Sequence, residues 1–152
     1  MKKIAINRCF GCFSISKKAV KRMAELYGKE CYFFKHDYKT NKYTPIDIEV
    51  EEWSWIAFTI PNPNEYLGNK SWKDMSPDER EENNEKYEKI DLDCRPSDRA
   101  DPFLIQAIEE LGKESWGDCS ELKIVEIPDD LNWEIDEYDG VESVREISRS
   151  YY

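Results

Sequence analysis

The chain has 152 residues, 39% of them hydrophobic and 36% charged, with 22 Lys+Arg against 33 Asp+Glu for a formal net charge of −11. That length suits one domain with a core of its own, and the acidic balance argues against wrapping duplex nucleic acid. No stretch approaches the apolar length of a membrane span, no secretory leader is visible, and five cysteines without a regular framework fit reduced thiols, so a soluble cytoplasmic protein is expected.

In chain order, Lys2 to Cys9 reads as a strand, and Ala19, Val20, Met23, Ala24 and Tyr27 then recur at helical spacing from a Ser16 cap to a Gly28 stop. Cys31 to Phe34 and Ile46 to Val50 are expected as strands joined by a turn-rich segment, Asp37 to Pro45. Trp53 to Ile60 follows as another strand, ended by Pro61-Asn62-Pro63-Asn64. Residues 61–93 read as a polar, partly helical insertion. Within it Ser76-Pro77-Asp78-Glu79 joins a cap, a first-position proline and a capping-box glutamate, which predicts a helix to about Lys89. Its faces are nearly all charged, the mark of a protruding or partner-covered element. Asp101 and Pro102 open a helix with Phe103, Leu104, Ala107, Ile108 and Leu111 on one face and Gly112 as its stop. Leu122 to Ile127 reads as a strand and Trp133 to Ile135 as another, followed by a Tyr138-Asp139-Gly140 turn and a short final helix over Val141 to Ser148. This order predicts a single α+β domain over 1–152 with a mainly antiparallel sheet.

The overall charge hides two opposed segments: residues 1–45 hold 11 Lys+Arg against 3 Asp+Glu, and the remainder holds 11 against 30. The basic part contains a strand, a glycine-bearing loop and a helix start, whose free backbone N–H groups are what a phosphate site is made from. Asn7, Arg8, Gly11, Ser14, Ser16 and Lys17 are therefore candidate anion-binding residues, and Phe10 and Phe13 are candidates to stack on a base. Lys17 and Lys18 sit in a first helical turn, where the macrodipole favours acidic residues, and a bound anion would offset that conflict. The alternative is that Lys17, Lys18, Lys21 and Arg22 form a solvated face. Arg95, Arg99, Arg145 and Arg149 interrupt an acidic region and would pair either with a ligand or with carboxylates of the chain itself.

Other chemistry lacks partners. Cys9-Phe10-Gly11-Cys12 has the spacing of a redox pair or half a zinc site, but no second ligand pair and no βαβ context accompany it. His36 is the sole histidine, and the acidic clusters Asp129-Asp130 and Glu134 to Asp139 lack the glycine placement of a calcium loop. No catalytic residue, metal or cofactor is assigned.

The strings Ile6-Asn7-Arg8-Cys9-Phe10-Gly11, Arg99-Ala100-Asp101-Pro102 through Glu109-Glu110-Leu111-Gly112, Leu122-Lys123-Ile124-Val125-Glu126-Ile127-Pro128 and Trp133-Glu134-Ile135-Asp136-Glu137-Tyr138-Asp139-Gly140 resemble a family of small proteins of tailed bacteriophages and prophages that carries no assigned activity. The resemblance covers about half the chain, at its two ends, and leaves the middle unmatched. It implies glycine at the position of Cys12, which makes the C-x-x-C spacing incidental. It also implies an accessory protein in the cytosol of an infected bacterium, a setting in which such proteins antagonise host defence. Combined with the anion-compatible loop, this gives a non-enzymatic binder that sequesters a phosphate-bearing (cyclic) nucleotide signal, expected as a homo-oligomer. The alternative is an acidic protein inhibitor that covers a basic surface on a host or defence protein. A nucleotide-cleaving enzyme is a third reading, without a metal constellation to support it.

Overall fold

The computed structural model describes residues 1–51 and 54–147. Trp53, Arg149, Tyr151, Tyr152 and the last residue of the expected final helix, Ser148, lie outside the described residues. In chain order the elements are β1 (Lys2–Asn7), α1 (Lys17–Leu26), β2 (Tyr32–Asp37), β3 (Lys42–Pro45), β4 (Trp55–Phe58), α2 (Pro63–Leu67), α3 (Pro77–Ile90), α4 (Pro102–Leu111), β5 (Leu122–Ile127), β6 (Trp133–Tyr138) and β7 (Val141–Glu146). The described residues thus form an α+β fold in which every strand pairing is antiparallel. The strands make three small sheets, and the chain divides into two compact units, Met1–Met23 with Cys94–Tyr152 and Ala24–Asp93.

In the first unit β1 pairs with β5 from Lys2 opposite Ile127 to Asn7 opposite Leu122. Ile4, Ile6 and Ile127 are buried, with Leu131, Trp133, Ile135 and Val144 packed against them. Asp101 caps α4 by accepting from the Phe103 amide, and Leu104, Ile105, Ala107 and Ile108 are buried along its length. The expected helix over Val141 to Ser148 is corrected to a strand: β7 forms a hairpin with β6, closed by Tyr138 opposite Val141. The two residues of its turn, Asp139 and Gly140, both have positive φ, 49° and 86°, which is the backbone of a type I′ turn. That twist matches a hairpin, so the turn outweighs the three-residue spacing of Val141 and Val144 that suits a helix. Gly140 also has to lack a side chain, because a Cβ there would collide with the main chain of Gly11.

In the second unit β2 lies between β3 and β4. The strand expected over Ile46 to Val50 is instead a turn begun by Asp47, whose side chain accepts from the Glu49 amide and whose carbonyl accepts from the Val50 amide. The hairpin partner of β2 is the preceding segment, Lys42–Pro45, reached through Asn41 at φ 54°. Phe34, Tyr43, Phe58, Leu67 and Ile90 form the core of this unit. Residues 61–93 are therefore not merely a protruding insertion, since α2 and α3 each contribute a core side chain. The capping box at Ser76 and Glu79 is present, and α3 runs to Ile90, one residue beyond the expected end.

Asp91, at the C-terminal end of α3, has its carboxyl pushed up to about 6 by partial desolvation and, next, by the charge of Asp93. The native state therefore binds the Asp91 proton more tightly than the unfolded chain, whose reference value is 3.8. The penalty for ionising it is complete above about pH 6 and absent below about pH 4. Urea unfolding is expected to show Asp91→Asn more stable than the parent at about pH 7, with the difference vanishing toward about pH 4.

Candidate functional site

The expected ligand-binding residues meet at the C-terminal end of β1, in the first unit. Asn7 is fully buried, and its side chain is saturated: Nδ2 donates to the carbonyls of Cys9 and Gly140 at 2.9 Å each, while Oδ1 accepts from the amides of Cys9 at 3.2 Å and Glu121 at 2.9 Å. These four bonds hold the opening loop against β5 and the β6–β7 turn. Arg99 lies beside them, with its guanidinium carbon 3.5 Å from the centre of the Phe13 ring, and Phe13 is itself buried.

The anion in this arrangement belongs to the chain. Glu142, 5% exposed on β7, takes Arg99 in a two-pronged ion pair, Nη1 to Oε1 at 2.6 Å and Nη2 to Oε2 at 3.1 Å. Its Oε1 also accepts from the Asn7 amide at 2.8 Å, and the Glu142 carbonyl accepts from Arg8 Nη1 at 2.6 Å. Charge-assisted, two-pronged bonds of this kind are the strongest an arginine makes. The Arg99 edge that a phosphate would need is thus already engaged by a carboxylate.

The loop amides are similarly committed. Arg8 donates to the Glu121 carbonyl, Gly11 to Asp139, Ile15 to Cys94 and Ser16 to Ser115. Gly11, at φ +142°, is pressed against Cys119, whose carbonyl oxygen would stand 2.5 Å from an added Cβ. The Ser14 carbonyl accepts from the Gly117 amide and from Ser120 Oγ. Ser16 caps α1 by accepting from the Ala19 amide and donates its own hydroxyl to the Glu114 carbonyl. Lys17 follows at the helix start, half-buried, and Phe10 stands in solvent at 72% exposure, away from any stacking partner role inside the loop. Arg145 is elsewhere: it is exposed and pairs with Glu134 across the β6–β7 hairpin, which raises its own pKa further.

So Asn7, Arg8, Gly11, Phe13 and Arg99 are brought together, while Phe10 and Arg145 are not. Reasoning from sequence missed Glu142, because a helix was expected there. The signal that finds it is the Asp139-Gly140 turn: with a hairpin in place, Glu142 falls on the same strand face as Val144, which points into the core.

The remaining candidates stay separate. None of the five cysteines is in a disulfide, Cys12 and Cys119 are exposed, and no group of three or more His, Cys, Asp or Glu side chains among the described residues could hold a metal ion. His36, in the second unit, shares a hydrogen bond with Asn41 Oδ1 and stacks on Tyr43. Among the described residues no helix is long and apolar enough to cross a membrane. An open groove of about 640 Å³ lies on the first unit beside the start of β1, against Ala100, Pro102, Ile105 and Gln106 of the α4 end.

If Glu142 neutralises Arg99, removing one partner leaves a buried charge without compensation. Glu142→Ala is expected to cost about 3–5 kcal/mol in urea unfolding, and Arg99→Ala with Glu142→Ala to cost clearly less than the two single changes added together. The chain matches no family model, no curated protein and no solved structure.

Proposed function

We propose that this chain acts by binding a protein, laying the acidic face of α3 on a basic surface of its partner. The observation that carries this reading is how α3 disposes its charges. Two of its three cations are engaged within the unit: the Arg80 guanidinium stands over the Trp72 ring at 5.2 Å and bonds the Trp72 carbonyl, and Lys86 lies over Tyr66 and near Glu82, while Lys89 is exposed in the last turn. Asp78, Glu81, Glu85 and Glu88, spaced three and four apart, form an exposed stripe whose members pair with no cation among the described residues. Like charges at that spacing cost a helix roughly 0.2–0.5 kcal/mol per pair. A complementary surface would relieve that cost and speed encounter through long-range attraction. In the setting implied by the phage resemblance, the partner is a host or defence protein in the infected bacterial cytoplasm.

The test is a tagged pull-down from host lysate. One stoichiometric partner is expected at low salt, lost at about 0.5 M NaCl and lost again with Glu81→Lys and Glu85→Lys combined. A partner retained by that double variant would overturn the assignment to α3.

Sequestration of a nucleotide signal is the second reading, favoured by the convergence of Arg8, Phe13 and Arg99 and opposed by Glu142, whose carboxylate takes Arg99 and whose main-chain carbonyl takes Arg8. Displacing a buried, doubly bonded carboxylate is costly, so calorimetry against cyclic nucleotides and cyclic ADP-ribose isomers is expected to give no saturable heat. Saturable binding that Arg8→Ala abolishes would reverse the order of the two readings.

A further inference from the structure

We infer that the open edge of β1 at Lys3, together with the groove beside it, takes an extended peptide segment of a partner protein, one that places an apolar side chain in the groove and an acidic side chain against Lys2. The inference concerns the first unit and is independent of α3, which belongs to the second.

Strand geometry fixes which main-chain groups are available. In the antiparallel register of β1 with β5, the rung of Lys2, Ile4 and Ile6 continues to Arg8, whose amide donates to the Glu121 carbonyl at 2.8 Å, so these residues turn their polar groups toward β5. Lys3, Ala5 and Asn7 turn theirs away. Two of those outward amides are satisfied: Ala5 donates to the Arg99 carbonyl at 2.9 Å and Asn7 to Glu142 Oε1 at 2.8 Å. The next rung, Lys3, has no main-chain partner among the described residues. The reason is local. The segment that covers Ala5 turns away at Asp101, which caps α4, and at Pro102, which has no N–H to offer.

The groove of about 640 Å³ opens where that segment departs, and Ala100, Pro102 and Ile105 give it an apolar wall. Its charges are nearly balanced internally: Lys3 Nζ meets Glu109 at 3.0 Å and Arg22 Nε meets Glu110 at 2.7 Å. Lys2 is left over, with no carboxylate partner among the described residues. An unpaired strand rung, an apolar wall and one spare cation together select an extended segment carrying an apolar and an acidic residue, bound by strand addition.

The probe is a fluorescein-labelled hexapeptide, Thr-Val-Thr-Val-Asp-Asp, followed by fluorescence anisotropy with the full chain. Saturable binding tighter than about 1 mM is expected, weakened about tenfold or more when one alternate set of peptide amides is N-methylated and little changed when the other set is. Lys3→Pro removes the free donor without touching the β1–β5 ladder and is expected to abolish binding, whereas Lys3→Ala keeps the donor and binds. Thermal melts establish that both variants fold, and the N-methyl peptides decide the matter on the parent chain if Lys3→Pro does not. Absence of saturable binding up to about 1 mM, indifference to both N-methyl sets, or a self-association of the chain that Lys3→Pro dissolves would each overturn the inference.

Discussion

The first unit is organised around one buried ion pair. Arg99 and Glu142 are 16% and 6% exposed at their side chains, and neither could be taken out of water alone at a tolerable cost. What makes the pair sustainable is that its surroundings fill the remaining bonding capacity: the Asn7 amide reaches Oε1, and the Phe13 ring lies under the guanidinium. Because those partners come from β1, the loop behind it, the segment before α4 and the β6–β7 hairpin, satisfying a single carboxylate fixes the mutual placement of four stretches far apart in the chain. Asn7 performs the same task with neutral groups.

The opposed charges of the two ends of the sequence take on a different meaning in this light. Part of the charge of the basic N-terminal segment is met within the first unit: Lys3 by Glu109, Lys18 by Glu114, Arg22 by Glu110 and Met1 by Asp129. Each of these exposed pairs contributes little to stability. Of the two lysines in the first turn of α1, Lys18 is among those met in this way.

Much of the fold was readable because local signals agreed with one another. Ser76-Pro77-Asp78-Glu79 and Asp101-Pro102 announced α3 and α4 through capping chemistry that needs no tertiary information. Of the residues singled out, Asn7, Arg8, Gly11 and Phe13 lie near Arg99, whereas Phe10 and Arg145 do not. Their purpose was not readable, because it depends on which way Glu142 faces, and that follows only from treating Val141 onward as a strand. The β3 strand was missed for a related reason: Lys42 to Pro45 carries turn-forming neighbours and a proline, and it becomes a strand by lying against β2, where Asn64 also bonds both main-chain groups of Tyr43. The segment 61–93 looked too polar to matter to a core, yet Leu67, Met75 and Ile90 within it are buried.

The meeting of Gly140 with Gly11 reaches beyond conformational freedom. A methyl group at Gly140 would occupy the space of the Gly11 main chain, and one at Gly11 would meet Cys119, so both ends of the described chain are confined here. The hairpin tip therefore has no room to lengthen toward the opening loop. Variation in length, or an engineered graft such as an epitope, is better accommodated at the exposed bend around Asp129 and Asp130, where the chain passes from β5 to β6 through solvent.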